Sequence, residues 1–186
     1  MSLENRALAQ KYPNLDKYSS PVKPPAREIV GREKEMRSVL ASISRPELSN
    51  CILIGEPGAG KTALVQGVSK MDKSRRYWEL DMAKMRADIP DPTQMGAQMK
   101  ELFDEVGRYC TTEHEKLVLF IDEFHQVVQL SAAAVEALKP LLADSGTRGI
   151  CVICATTEKE FRQYIAPNQP LVERLQRINL NQPDKK

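Results

Sequence analysis

The sequence predicts a three-layer α/β domain, a parallel β-sheet with helices on both faces, and three observations carry that prediction. Short apolar runs at residues 51–54, 117–121 and 150–155 lack the polar alternation of a half-solvated sheet. Stretches of helical character separate them, as in a chain that crosses over between parallel strands. A glycine-rich turn joins the first run to the helix after it.

Each element follows in order. The first fifty residues are polar, with a proline cluster at Pro21, Pro24 and Pro25, so an extended arm is expected there. Met36, Val39, Leu40 and Ile43 then recur at helical spacing within a helix over 32–44. Strand 51–54 leads to helix 61–70, and a weaker strand is expected at 77–80, with the single Trp78 in the core. Asp88-Ile-Pro-Asp-Pro-Thr93 reads as a loop, with Thr93 capping a helix that runs to 108. Strand 117–121, helix 131–142, strand 150–155 and helix 158–165 complete the pattern. Residues 178–180 close the sheet, and the tail from 181 is expected to fray. The predicted organisation is an N-terminal arm or linker over 1–27, an α/β subdomain over 28–183, and a frayed tail at 184–186.

Composition narrows the function. At 186 residues the chain is one domain long, and its charged side chains nearly balance, for a net +2, which gives no electrostatic case for nucleic acid or an anionic membrane. No apolar run reaches the ~18–20 residues of a bilayer span, and no secretory signal is present, so a cytoplasmic protein is expected. Cys151 and Cys154 form a C-x-x-C pattern. Inside a strand, however, an offset of three sends them to opposite faces, so all four cysteines are expected to be buried core residues.

Gly55-Glu56-Pro57-Gly58-Ala59-Gly60-Lys61-Thr62 matches G-x-x-x-x-G-K-[ST] in full, after a strand and before a helix. In such a loop the backbone N–H groups cradle phosphates at a helix N-terminus. Lys61 is expected to reach the β- and γ-phosphates and Thr62 to place its hydroxyl on Mg²⁺, with Ala63 next in the helix. Leu117-Val-Leu-Phe-Ile-Asp122-Glu123 supplies the complementary feature, an apolar strand ending in two carboxylates. Asp122 is expected to support the metal, and Glu123 to orient or deprotonate the attacking water. The pair favours ATP hydrolysis over simple retention.

These residues resemble the AAA+ ATPases, and within them the first ATPase module of the Clp unfoldases. The similarity runs from about Leu15 to Pro183 and is strongest in Ile29-Val-Gly-Arg32, residues 52–65, Phe120-Ile-Asp-Glu-Phe-His125, Leu138-Lys-Pro140 and residues 155–165. The resemblance implies a P-loop NTPase large subdomain with a five-stranded parallel sheet, ATP and Mg²⁺, and a homo-oligomeric ring, usually a hexamer, acting on a protein substrate or with a protease partner. Ile29, Val30 and Gly31 match the segment that packs on adenine, and Thr157 matches the first sensor of the attacking water.

Four departures qualify the resemblance. Glu173-Arg174 stands where the family has two arginines, leaving Arg174 as the candidate finger into a neighbour's ATP. Ile89-Pro-Asp-Pro-Thr93 replaces the aromatic pore segment, and residues 124–130 run almost directly into Ser131 without a glycine-rich second pore loop. No helical lid subdomain follows the last strand, so these residues alone are expected to bind ATP weakly and to be close to inactive. The alternatives are a regulatory or scaffolding module, whose ATP binding drives assembly without threading, and an AAA+ protein acting on DNA, which the charge argues against. His114 and His125 lack metal-ligand company and are expected to be structural or solvent-facing.

Overall fold

The computed structural model describes residues 3–181; the tail expected to fray at 184–186 lies outside the described residues. Two short helices, α1 (Leu3–Lys11) and α2 (Pro13–Tyr18), open the chain and lead into a strand, β1 (Ser19–Pro21). α3 (Glu33–Ile43), β2 (Asn50–Ile54), α4 (Lys61–Met71), β3 (Arg76–Leu80) and α5 (Met82–Asp88) follow. Next come α6 (Pro92–Thr112), β4 (Leu117–Ile121), α7 (His125–Leu130), α8 (Ala132–Ala143) and β5 (Ile150–Thr156). The short α9 (Glu158–Glu160), a π-helical turn (Phe161–Ile165), α10 (Gln169–Val172) and β6 (Gln176–Asn179) complete the described chain.

Among the described residues the sheet has six strands in the order β1-β3-β4-β5-β2-β6. Five are parallel, as expected, and β1 adds an antiparallel edge against β3. Alternate residues of each strand feed two separate cores. Ile52, Ile54, Leu119, Ile121, Val152 and Cys154 face the layer built by α2, α5, α6, α7 and α8. Leu53, Val118, Phe120, Cys151 and Ile153 face α3 and α4. Burial on both sides explains why these strands show no alternation of polarity.

Cys151 and Cys154 therefore lie on opposite faces, and all four cysteines are free and buried. Burial pushes the thiol of Cys51 up to about 12 and that of Cys110 up to about 11, so they behave as small apolar side chains.

The arm expected to be extended is instead packed against the domain. Leu15 and Tyr18 are buried on one face of α2, and Tyr12, the residue before that helix, is buried with them. The buried Glu105 of α6 fixes them there, accepting hydrogen bonds from the N–H groups of Asn14 (2.8 Å) and Leu15 (2.9 Å) and from Asn14 Nδ2 (2.8 Å). A carboxylate at these unpaired N–H groups satisfies the first turn of α2. Pro21 is tolerated because β1 is an edge strand.

Two helix boundaries also differ from expectation. α6 starts at Pro92, and its cap is Asp91 rather than Thr93; the Asp91 carboxylate accepts from the N–H groups of Thr93 and Gln94, each at 2.9 Å. Proline at the first helical position suits this start, which leaves only residues 89–91 between α5 and α6. The helix expected over 158–165 divides into α9 and the π-helical turn.

Candidate nucleotide site

The C-terminal ends of β4, β5 and β2 lie side by side in the sheet. Three segments leave these ends, and backbone hydrogen bonds tie them together. Gly55 N–H donates to Thr156 O (3.2 Å), and Phe124 N–H donates to Ala155 O (2.8 Å). This is the edge of an open α/β sheet where ligands bind.

Residues 55–62 turn with positive φ at Gly58 (79°) and Gly60 (86°), a conformation that disfavours side chains. Gly60 then serves as the N-cap of α4, so the helix N-terminus opens into the loop. Lys61 is buried beneath the loop, its Nζ donating to Gly55 O (2.7 Å) and Glu56 O (3.1 Å). Glu56, Pro57 and Gly58 are exposed along the rim, Ala59 is buried, and Ala63 is exposed on the first turn of α4.

Thr62 Oγ1 donates to Asp122 Oδ2 at 3.2 Å, joining the loop to the end of β4. A hydroxyl and a carboxylate set face to face are hard oxygen donors of the kind Mg²⁺ takes, so this pair fits the cation. Asp122 Oδ1 also accepts the N–H of Glu123 (2.9 Å). Glu123 adopts a left-handed φ of 49° and is exposed, an unusual conformation for a residue with a side chain. On the neighbouring β3, burial and the Asp122 charge raise the pKa of Glu79 above the ordinary carboxylate value.

The segment matched to adenine packing lies beside the loop. A Cβ at Gly67 of α4 would lie 3.1 Å from Ile29 Cδ1, so Ile29 packs onto that helix, whereas Val30 is 80% exposed and Gly31 turns with φ 78°. Arg32 is buried behind them, donating to Ala59 O (3.0 Å), Asn181 O (2.7 Å) and Glu35 (2.8 Å). It braces the phosphate loop, a role that sequence reasoning did not assign.

Thr157 lies at the end of β5, and its hydroxyl is engaged. It forms a capping box with Glu160, donating to the carboxylate at 2.7 Å. His125, expected to be structural or solvent-facing, is buried between Thr156, Glu160 and Glu123. The pattern Thr157-x-x-Glu160 was a legible sign of the cap. Nothing in the spacing linked His125 to it.

Arg174 lies elsewhere. Its carbonyl accepts from Asn50 Nδ2 (3.2 Å) at the start of β2, and its Nη1 donates to Pro170 O, while its Nε is buried with no partner among the described residues. β2 is five residues long, so at about 3.3 Å per residue Arg174 stands roughly 16 Å from the loop at the other end of the strand.

A nucleoside-triphosphate loop after β2, paired carboxylates at the end of β4, one strand away across β5, and a five-strand parallel core define a P-loop ATPase module. Residues 51–182 match the model of the ATPase family associated with various cellular activities, and the chain belongs to that AAA family. It is 35% identical to chaperone protein ClpB 2 of Thermosynechococcus vestitus, over 93% of this chain and 21% of that protein. Against ClpB of Aquifex aeolicus the identity is 35%, over 83% of this chain and 16% of the relative. The chain thus spans about a fifth of the length of these relatives. The fold matches the ADP complex of Hsp104 from S. cerevisiae, with a TM-score of 0.75 and 29% identity over 91% of this chain and 31% of that one. It also matches the extended S. cerevisiae Hsp104:casein complex, with a TM-score of 0.72 and 30% identity over 92% of this chain and 31% of the other.

Proposed function

We propose that this module binds ATP on residues 55–62 and hydrolyses it with Glu123, within a cytoplasmic ring of identical subunits that remodels protein substrates. The observation that carries the reading is the meeting of Thr62 and Asp122 at 3.2 Å beside the glycine turn. Ile29, Val30 and Gly31 receive the adenine, and the loop amides and Lys61 receive the phosphates. Lys61 exchanges its bonds to the Gly55 and Glu56 carbonyls for phosphate oxygens, so the loop holds its ammonium in reserve at the place of use. Thr62 and Asp122 hold Mg²⁺, which when bound neutralises charge on the phosphates. Glu123 aligns and deprotonates the attacking water, and Thr157 assists once its hydroxyl leaves Glu160. Arg174, a strand length from its own loop, serves the neighbouring subunit's ATP. Relatives among ClpB chaperones and the likeness to Hsp104 bound to casein support a protein substrate.

One observation favours a specific form of this function. The segment at 89–91 is short and has no aromatic side chain, and Asp91 is committed to capping α6. Such a segment cannot grip a polypeptide by stacking, which supports a module that powers or stabilises the ring while another element holds the substrate. The test is ATP-driven unfolding of a model substrate by the full-length protein and its Lys61→Ala variant. Loss of ATP binding and of unfolding is expected if this module powers the ring, and retained unfolding would assign it to assembly alone.

A further inference from the structure

The hydrolytic reading leaves His125 without a task, yet its environment is built with some precision. Its side chain is only 9% exposed. Nδ1 faces three oxygens from three segments: Thr156 Oγ1 at 3.2 Å, Glu160 Oε2 at 3.3 Å and Glu123 Oε2 at 3.6 Å. The ring of Tyr164 stacks on the imidazole, with centroids 6.3 Å apart and planes at 25°. Glu160 is fixed in turn, since its Oε2 accepts from the Thr157 hydroxyl (2.7 Å) and N–H (3.3 Å).

Ionised carboxylates only accept hydrogen bonds, so a proton on Nδ1 suits the two that face it, Glu160 at 3.3 Å and Glu123 at 3.6 Å, the latter at ion-pair rather than hydrogen-bond distance. Glu123, on an exposed turn, has side-chain freedom that a water-aligning base must lose before the reaction. A buried, stacked imidazole beside it can restrict that freedom. The contacts also form a continuous path, Glu123 to His125 to Glu160 to Thr157, between the two residues assigned to the attacking water.

We propose that His125 is a positioning residue for ATP hydrolysis, its imidazole fixed by Thr156 and Glu160 so that it confines the Glu123 carboxylate 3.6 Å from Nδ1. The proposal rests on the hydrolytic reading of Glu123. His125 does not touch nucleotide in that reading, so its loss acts on turnover and spares binding.

The test compares His125→Ala, His125→Asn and His125→Gln in the full-length assembled protein. Steady-state ATP turnover, binding of a fluorescent ADP analogue and thermal melting are measured for each. The alanine variant should lose about tenfold to a hundredfold in kcat, as for a misplaced catalytic group, with KM and ADP affinity within about twofold of the parent. Asparagine places its amide nitrogen near Nδ1 and glutamine near Nε2, so asparagine should recover more turnover. That contrast carries the test even where alanine impairs folding. Combined with Glu160→Gln, the alanine change should cost less than the product of the single effects. Equal loss in kcat and ADP affinity, equal behaviour of asparagine and glutamine, or fully multiplicative effects would overturn the proposal. Unchanged turnover in Glu123→Gln would overturn the hydrolytic reading itself, whereas lost turnover there beside a normal His125→Ala enzyme sinks only the positioning role.

Discussion

Thr62 and Asp122 are sixty positions apart in the chain, yet the threonine hydroxyl donates to the aspartate carboxylate at 3.2 Å. The contact places two oxygen donors on adjacent segments at the mouth of the phosphate loop. Thr62→Ala and Asp122→Asn should each raise the Mg²⁺ concentration needed for half-maximal ATP turnover by about tenfold or more. Metal titration of the ATPase checks this, and metal-free ADP binding should change far less.

Glu123 lies beside this pair but makes no contact that a passive nucleotide holder needs. Glu123→Gln preserves size and hydrogen bonding while removing the base. Turnover should fall by about 10² to 10⁴, with ATP affinity retained. Rapid-quench turnover beside equilibrium binding separates the two, and unchanged turnover would remove Glu123 from the chemistry.

Glu105 couples the N-terminal helices to α6 through three hydrogen bonds to Asn14 and Leu15. Glu105→Ala leaves buried N–H groups without an acceptor, a loss of about 2 to 3 kcal/mol. Glutamine should recover much of this, because the Asn14 and Leu15 N–H groups share Oε2 and its amide oxygen can take that place, leaving only the Asn14 Nδ2 bond unmade. Limited proteolysis should then cut within the first twenty residues of the alanine variant, at protease levels that leave the parent intact.

Asp72 carries a pH dependence of definite sign. Burial raises its pKa, but hydrogen bonds from Ser74, Arg75 and Tyr77 outweigh burial and hold it at about 2. A carboxylate depressed in the folded state contributes stability above its unfolded value, near 4, and loses it as pH falls through the folded one. The difference in melting temperature between the parent and Asp72→Asn should therefore be full above about pH 5 and shrink towards about pH 2. A constant difference across that window would mean that the ion pair with Arg75 is not its source.

The parallel core and the phosphate loop were legible because burial on both faces leaves continuous apolar runs and a phosphate cradle demands glycine at fixed positions. The packed arm was not. Its prolines suggested extension, while Glu105, which anchors it, lies ninety residues away in an otherwise ordinary helix. The cap of α6 is ambiguous in the sequence because Asp91 and Thr93 are both good caps, and Pro92 at the first helical position decides between them. His125 gives no sign of its surroundings in the sequence, because its partners Thr156 and Glu160 come from β5 and α9, and only the sheet order brings those segments to it. Arg32 gives no sign of its role for a similar reason, since the acceptors that tie it to the phosphate loop and to residue 181 are backbone carbonyls, which leave no side-chain signature.

Arg174 offers the remaining test, because its position makes a demand on the assembly. Asn50 holds its carbonyl at the start of β2, while the phosphate loop leaves the opposite end of that strand. An arginine so placed can stabilise transition-state charge only on a nucleotide held by another copy. Arg174→Ala should then lower turnover steeply, towards the ~10³-fold typical of a lost finger, without weakening ATP binding in the same subunit. Mixing decides the direction of action. Rings combining Arg174→Ala subunits with Glu123→Gln subunits should recover activity wherever an intact Arg174 faces an intact Glu123 across a boundary. Two inactive variants that restore turnover when mixed place the finger in trans, and a mixture as inactive as its parts would confine Arg174 to its own subunit.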